Sequence, residues 1–320
     1  MTKLFITLGP STLNKKFLKS LKSNYVKLLR INLSHTDVKD LPKIVRYIKK
    51  YSKIPICFDT EGAQIRTSKI KNKTKLLKKN NYLYINKNNK INKNISLTPN
   101  GVYEKLKIND ILYIDFNSAK IKIISENENN FKCKIMEGGL IGSNKSISVN
   151  RNINISAFTE KDLQSFIIAK SLNIQNIALS FTSCANDVKN LRNFFDYKIT
   201  ITSKIESKKG LKNLDSILSE ADKILVDRGD LSKEIPLQLI PKKQKEIINA
   251  ANQKKVPVFV ATNLLESMVT QPEPTRAEVN DIYNTLVDGA DGLVLAAETA
   301  IGKYPIECIS MILKVAKTIQ

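Results

Sequence analysis

Eight short β-branched or apolar runs, most of them followed by an amphipathic segment, restrict this chain to few folds. They are "KLFITL" (3–8), "VKLLRINL" (26–33), "IPICFD" (54–59), "NIALSF" (176–181), "ITITS" (199–203), "KILVD" (223–227), "VPVFVA" (256–261) and "GLVLAA" (292–297). The clearest helical partners are "LPKIVRYIKKY" (41–51), "EKDLQSFIIAKSL" (160–172) and "KKQKEIINAANQK" (242–254), and "IECISMILKVAKTIQ" (306–320) supplies the eighth. Strands alternating with helices imply a parallel sheet, because a parallel crossover needs a covering helix. Eight such units predict an α/β fold of the (β/α)8 TIM-barrel type.

The rhythm breaks once, between Asp59 and the helix near Thr159. Within that gap "KLKINDILYIDFNSAKIKIISE" (105–126) and "NFKCKIMEGGLIG" (130–142) alternate in polarity and contain turn residues, which predicts an antiparallel β insertion. The expected division is a TIM-barrel domain of residues 1–63 and 151–320, carrying an inserted small β domain of residues 64–150. The barrel portion is then close to the ~250 residues typical of this architecture.

Composition bounds what such a barrel does. The chain is 42% hydrophobic over 320 residues, enough to bury a large core. No apolar run approaches the ~20 residues of a membrane span. The opening "MTKLFITLGPST" lacks a signal peptide's apolar core and cleavage site. A cytoplasmic protein with no membrane partner is expected. Cys57, Cys133, Cys184 and Cys308 are far apart and match no metal spacing, so reduced and mostly buried thiols are expected. The formal net charge of +22 would suit nucleic acid or anionic substrates. Most of the excess is lysine interleaved with asparagine, as in "KNKTKLLKKNNYLYINKNNKINKN" (71–94), the bias an AT-rich coding sequence produces. There is no Trp and no RNA- or DNA-binding motif, so nucleic acid is not the expected partner. No oligomeric state follows from the sequence.

Barrel chemistry sits at the C-terminal ends of the strands. There the sequence places Arg30, Asn32 and Ser34 after the second run, Asp59-Thr60 after the third, and Lys204 and Glu206 after the fifth. Asp230 lies just beyond the sixth, Thr262 beyond the seventh, and Glu298-Thr299 beyond the eighth. A period of two puts Lys204 and Glu206 on one face. Each residue alone has a plainer explanation. Lys204 and Glu206 would make a surface ion pair. Asp230 would cap a helix, and Asn263-x-x-Glu266 resembles a capping box. Their convergence on one barrel mouth argues for chemistry instead. Glu206 and Asp230 suit Mg²⁺, which takes few protein ligands and keeps water and substrate oxygens. Lys204 and Arg30 would neutralise a moving phosphoryl group or a developing enolate, and Arg30 has the fork geometry for phosphate. Gly229 precedes Asp230 at a possible helix start, where free backbone N–H groups favour an anion.

Those segments, in order, resemble the pyruvate kinase family nearly end to end. "LLRINLSH" is similar to its RxNxSH segment, "FDTEGAQIRT" to DTKGPEIRT, "SKIES" to SKIEN and "DRGDL" to ARGDL. "ATNLLESMVTQPEPTRAEVND" is similar to ATQMLESM…PTRAEVSD, the most specific stretch, and "DGADGLVLAAETAIGKYP" to DGADxxMLSGETAxGxYP. The resemblance implies a TIM barrel with a mobile β-barrel lid inserted after the third strand. It implies the glycolytic transfer of phosphoryl from phosphoenolpyruvate to ADP, giving pyruvate and ATP. By motif position Glu206 and Asp230 would hold Mg²⁺ or Mn²⁺. Lys204 would stabilise the phosphoryl group and the enolate, and Arg30 and Arg66 would contact phosphate. Thr262 would lie beside the carbon that is protonated. The amides of Gly229 and Asp230 would receive the substrate carboxylate. Asn32, Ser34, Asp59 and Thr60 would bind K⁺. His35 and the lid's Lys145 would lie near the nucleotide.

Departures leave alternatives open. The family's third, C-terminal domain has no counterpart in these residues. Gln64 stands for the glutamate of DTKGPEIRT, a position the family links to K⁺ dependence, and Glu61 stands for its lysine. Ser183 stands for an arginine, Ala296-Ala297 for Ser-Gly and Asp227 for an alanine, and the lid hinge KGVNLPG is poorly kept in "KSISVNRNI". A related enzyme with the same enolate chemistry but another phosphoryl acceptor is one alternative. A non-catalytic phosphoenolpyruvate-binding paralogue is the other.

Overall fold

The computed structural model describes residues 2–62, 64–70, 72–87, 94–115, 118–151, 153 and 155–319. All eight runs form strands: β1 (Lys3–Thr7), β2 (Val26–Asn32), β3 (Ile56–Asp59), β4 (Asn176–Leu179), β5 (Thr200–Ile205), β6 (Lys223–Asp227), β7 (Val258–Ala261) and β8 (Gly292–Leu295). Each pairs in parallel with its sequence neighbours, and β8 pairs with β1 to close the barrel. The expected helices are Leu41–Tyr51, Glu160–Ser171, Ile240–Gln253 and Pro305–Lys317. Among the described residues no helix is long and apolar enough to cross a membrane.

The chain packs as two units, one of residues 1–62 with 160–320 and one of residues 63–159. The division falls at 159/160 rather than at 150/151, because Ile153 and Ile155 pack against the apolar cluster of the inserted unit. Among its described residues that unit forms a closed seven-stranded barrel with an additional two-stranded sheet. Along Ala119–Glu126 buried residues alternate with less buried ones, so the strand's inward set, Ala119, Ile121 and Ile123, enters the core with Phe131 and Leu97.

The interior of the large barrel is layered by the same period of two. Phe5, Leu28, Cys57, Ala178, Leu225, Phe259 and Val294 form one buried cluster, and the Phe5 and Phe259 rings stack with centroids 4.0 Å apart. Burial pushes the Cys57 thiol up to about 12, with the nearby Asp59 carboxylate adding to the effect, so it is an inert packing group. All four cysteines are free, and all but the half-buried Cys184 are buried, as expected. Phe259→Ala should destabilise the barrel by about 3–5 kcal/mol, through lost apolar contact and a residual cavity. Urea unfolding will register this as a lower midpoint with an unchanged slope.

The capping box that Asn263-x-x-Glu266 resembles does not form. Thr262 and Asn263 adopt φ of 77° and 55°, whereas an N-cap residue is extended. The capping box lies further on, where Thr275 and Glu278 begin the helix Arg276–Val287.

Candidate active site

Two residues beyond each member of the interior cluster, the same face of the strand reaches the C-terminal mouth. On five strands this step turns apolar packing into polar chemistry: Phe5 is followed by Thr7, Leu28 by Arg30, Cys57 by Asp59, Ala178 by Ser180 and Leu225 by Asp227, whereas Phe259 and Val294 are followed by Ala261 and Ala296. On β5 the corresponding residue is Lys204, two beyond Thr202. All six polar residues are buried.

They form one network. The Arg30 guanidinium donates through Nε to Thr7 Oγ1 at 2.8 Å and through Nη1 to Asp59 Oδ2 at 2.5 Å. The Lys204 ammonium lies 2.8 Å from Glu206 Oε1, 3.3 Å from Asp227 Oδ2 and 3.4 Å from Asp59 Oδ1, and donates to Ser180 Oγ at 3.2 Å. The Ser180 hydroxyl lies 2.7 Å from the Thr60 carbonyl and 3.2 Å from Asp59 Oδ1. Lys204 is only 5% exposed and Glu206 is fully buried, so the expected alternative of a surface ion pair is ruled out. Burial alone would lower the Lys204 pKa. Asp59, Glu206 and Asp227 more than offset it and hold the lysine above its ordinary range, firmly charged. Glu206 moves the other way. Its burial, with the carboxylates of Asp227 and Asp230 nearby, raises it above the usual carboxylate range despite Lys204. Burial also favours neutral Asp227, but Lys204, the Thr262 hydroxyl and Arg30 hold it down at about 2.

Beyond the network, the helix Arg228–Glu234 starts at the end of β6, with Asp230 in its first turn. Its first N–H groups have no partner within the helix. Asp230 Oδ1 accepts from Lys233 at 2.6 Å. Thr262 Oγ1 donates to Asp227 Oδ1 at 2.5 Å, and the Arg228 side chain grips the Thr262 carbonyl through Nε at 3.0 Å and Nη2 at 2.5 Å. That grip holds a β-branched residue at positive φ, a strained conformation typical of functional sites.

One atom in this arrangement lacks a hydrogen bond. Glu206 Oε2 accepts from the Phe181 amide at 2.6 Å, while the buried Oε1, though close to Lys204, has no donor in bonding geometry. Glu206, Asp227 and Asp230 each offer a carboxylate oxygen, and these oxygens lie within 4.8 Å of one another. An all-oxygen set with an unsatisfied buried member fits a hard divalent cation such as Mg²⁺ or Mn²⁺.

A family model for the pyruvate kinase barrel domain matches residues 1–309. The chain belongs to the pyruvate kinase family. It is 37% identical to the pyruvate kinase of Methanocaldococcus jannaschii, over 99% of this chain and 69% of that protein. The Clostridium perfringens pyruvate kinase is 32% identical, again over 99% of this chain and 69% of that one. The crystal structure of a pyruvate kinase from Cryptosporidium parvum superposes with a TM-score of 0.85 at 31% identity, covering 98% of this chain and 68% of that one.

Of the residues that the pyruvate kinase motifs single out, Arg30, Asp59, Lys204, Glu206, Asp230 and Thr262 stand in or beside the network above. Asn32 is in register with Asp59, and its side-chain oxygen accepts from the Ser34 amide at 2.9 Å. Thr60 Oγ1 accepts from the Ser180 amide at 2.8 Å. His35 is exposed in the turn after β2. Arg66 and Lys145 belong to the inserted unit, where Arg66 Nη1 donates to the Asn144 carbonyl at 3.2 Å and Lys145 pairs with Asp115 at 3.0 Å. Glu298 is tied to backbone, accepting from the amides of Leu265 and Ala296. Sequence reasoning missed Ser180 and the contacts of Asp227. The available signal was position, since each lies two residues past an inward apolar residue of its strand.

Proposed function

We propose that this chain transfers the phosphoryl group of phosphoenolpyruvate to ADP, releasing pyruvate and ATP in the cytoplasm. The observation that carries the reading is the buried Lys204 ammonium set among Asp59, Glu206 and Asp227, beside the unsatisfied Glu206 Oε1. The bond from phosphorus to the enol oxygen breaks, and a terminal phosphate oxygen of ADP forms the new bond to phosphorus. The enolate left behind takes a proton at carbon.

Each role falls to a residue that the family motifs single out. Lys204, held charged, offers its ammonium to the phosphoryl oxygens and to the enolate oxygen as negative charge moves between them. Two Arg30 donors are committed to Thr7 and Asp59, which fixes the guanidinium plane for an anion approaching its remaining N–H groups. By motif position His35 serves the nucleotide. The first-turn amides of Gly229 and Asp230 receive the substrate carboxylate. The Thr262 hydroxyl, oriented by Asp227, stands beside the carbon that is protonated. Glu206 and Asp230 would hold Mg²⁺ or Mn²⁺, which would supply charge neutralisation for the transferred group and the developing enolate. Asn32, Ser34, Asp59 and Thr60 are the proposed K⁺ ligands.

A lactate dehydrogenase-coupled assay with phosphoenolpyruvate, ADP and Mg²⁺, run with and without K⁺, should show pyruvate formation. No pyruvate at any K⁺ concentration would overturn the reading. Phosphoenolpyruvate binding without turnover would then point to a non-catalytic paralogue, and turnover with another acceptor to a related kinase.

A further inference from the structure

We infer that Asp227 is a third carboxylate of the divalent-cation site, added where the family's ARGDL motif carries alanine. The inference rests on the proposed cation site of Glu206 and Asp230 and extends it to a residue that the motif assigns no role. Asp227 ends β6 two residues past the inward Leu225, so its side chain enters the mouth rather than the helical shell. One of its oxygens lies within the same 4.8 Å grouping as oxygens of Glu206 and Asp230. The second sign of a ligand is Glu206 Oε1, fully buried and without a hydrogen bond of good geometry, its close neighbour being the Lys204 ammonium at 2.8 Å.

Charge counting agrees. Asp59, Glu206, Asp227 and Asp230 are met by Arg30, Lys204 and Lys233. Arg228 does not join them, since it pairs with Asp281 at 2.7 Å and holds the Thr262 carbonyl. Counted as ionised groups, the carboxylates outnumber the cations by one, and with alanine at 227 they would be equal in number. A cation joining them would relieve the crowding of like charges. The two oxygens of Asp227 are also divided: Oδ1 takes the Thr262 hydroxyl, whereas Oδ2 faces Lys204 at 3.3 Å, a long contact for a charge-assisted hydrogen bond. Local tethering of Thr262 therefore uses only one end of the carboxylate.

Mn²⁺ binding to the 320-residue chain, without substrates, tests this by the loss of the free-ion electron paramagnetic resonance signal. Asp227→Ala restores the family's residue, and Asp227→Asn keeps an acceptor for Thr262 while removing the charge. Both variants should weaken Mn²⁺ binding by at least about tenfold, the scale seen when groups around a bound metal are removed. Glu206→Gln serves as the reference and should weaken it as well. If Glu206→Gln weakens binding while both Asp227 variants bind like the parent, the third-carboxylate assignment is wrong and Asp227 only positions Thr262. If none of the three changes affinity, the cation site itself is misplaced, and the assignment fails with it. Thermal melts confirm that each variant is folded before titration.

Discussion

Replacing Lys204 with methionine is expected to silence the site and loosen the barrel together. The loss of turnover follows from removing the one ammonium placed to meet charge on the transferred group. Deleting a single preorganised donor of this kind costs about 10²–10³ in kcat. The loss of stability follows from what remains. Asp59, Glu206 and Asp227 all lie within 3.4 Å of the Lys204 nitrogen, and methionine would leave them facing one another across an apolar side chain. Removing one partner of a buried ion pair typically costs about 3–5 kcal/mol. For a chain of this size that lowers Tm on the order of 10 °C. The two effects can be separated. In EDTA the variant should melt well below the parent. Added Mg²⁺ should recover part of the difference by binding the folded carboxylates, without restoring pyruvate formation. A variant that melts like the parent in EDTA would show that the ion-pair cluster does not hold this part of the barrel.

Gly229→Ala is expected to have the opposite profile, a large loss of rate with little loss of stability. Alanine favours helix over glycine by roughly 0.5–1 kcal/mol, and residue 229 is helical. The difficulty is contact. A methyl group at 229 would lie 2.8 Å from Thr262 Cγ2 and 3.5 Å from Asp227 Oδ1. Thr262 has little room to yield, because Arg228 grips its carbonyl, its hydroxyl is bonded to Asp227, and its backbone is already at positive φ. The displacement should therefore fall on the hydroxyl's position. Misplacement of a reacting group by about 1 Å can cost on the order of 10² in rate. The coupled assay should show kcat reduced on that scale, with Tm within a few degrees of the parent. A normal kcat would mean that Thr262 does not need its present position.

The barrel was legible because parallel strands buried on both faces read as short, nearly continuous apolar runs, and eight of them leave few alternatives. Lys204 and Glu206 were legible for a related reason. Charged residues at the end of such a run, two apart, must share a face. What the sequence hid was geometry that spacing does not encode. Phe181 looked like the end of β4, yet it takes φ of 51° and turns its amide onto Glu206 at 2.6 Å, while Ser180 before it enters the network. Asn263 read as a helix start because its side chain suits a cap, but the backbone at Thr262 and Asn263 is left-handed, a short 3-10 turn follows at Glu266–Val269, and the next α-helix begins only at Arg276. Asp227 was visible only as a mismatch with a motif. Its meaning depended on a contact with Thr262, 35 residues later, that no local pattern predicts.

The spacing of two residues between Phe5 and Thr7, Leu28 and Arg30, Cys57 and Asp59, Ala178 and Ser180, and Leu225 and Asp227 divides labour along each strand. The lower rung carries solidity and the upper rung carries reactivity, with the backbone as their covalent link. Drift in one rung is thus largely insulated from the other. An acidic residue could enter at 227 without any rearrangement of Leu225 beneath it, so the mouth of such a barrel is free to try new chemistry while its foundation stays in place.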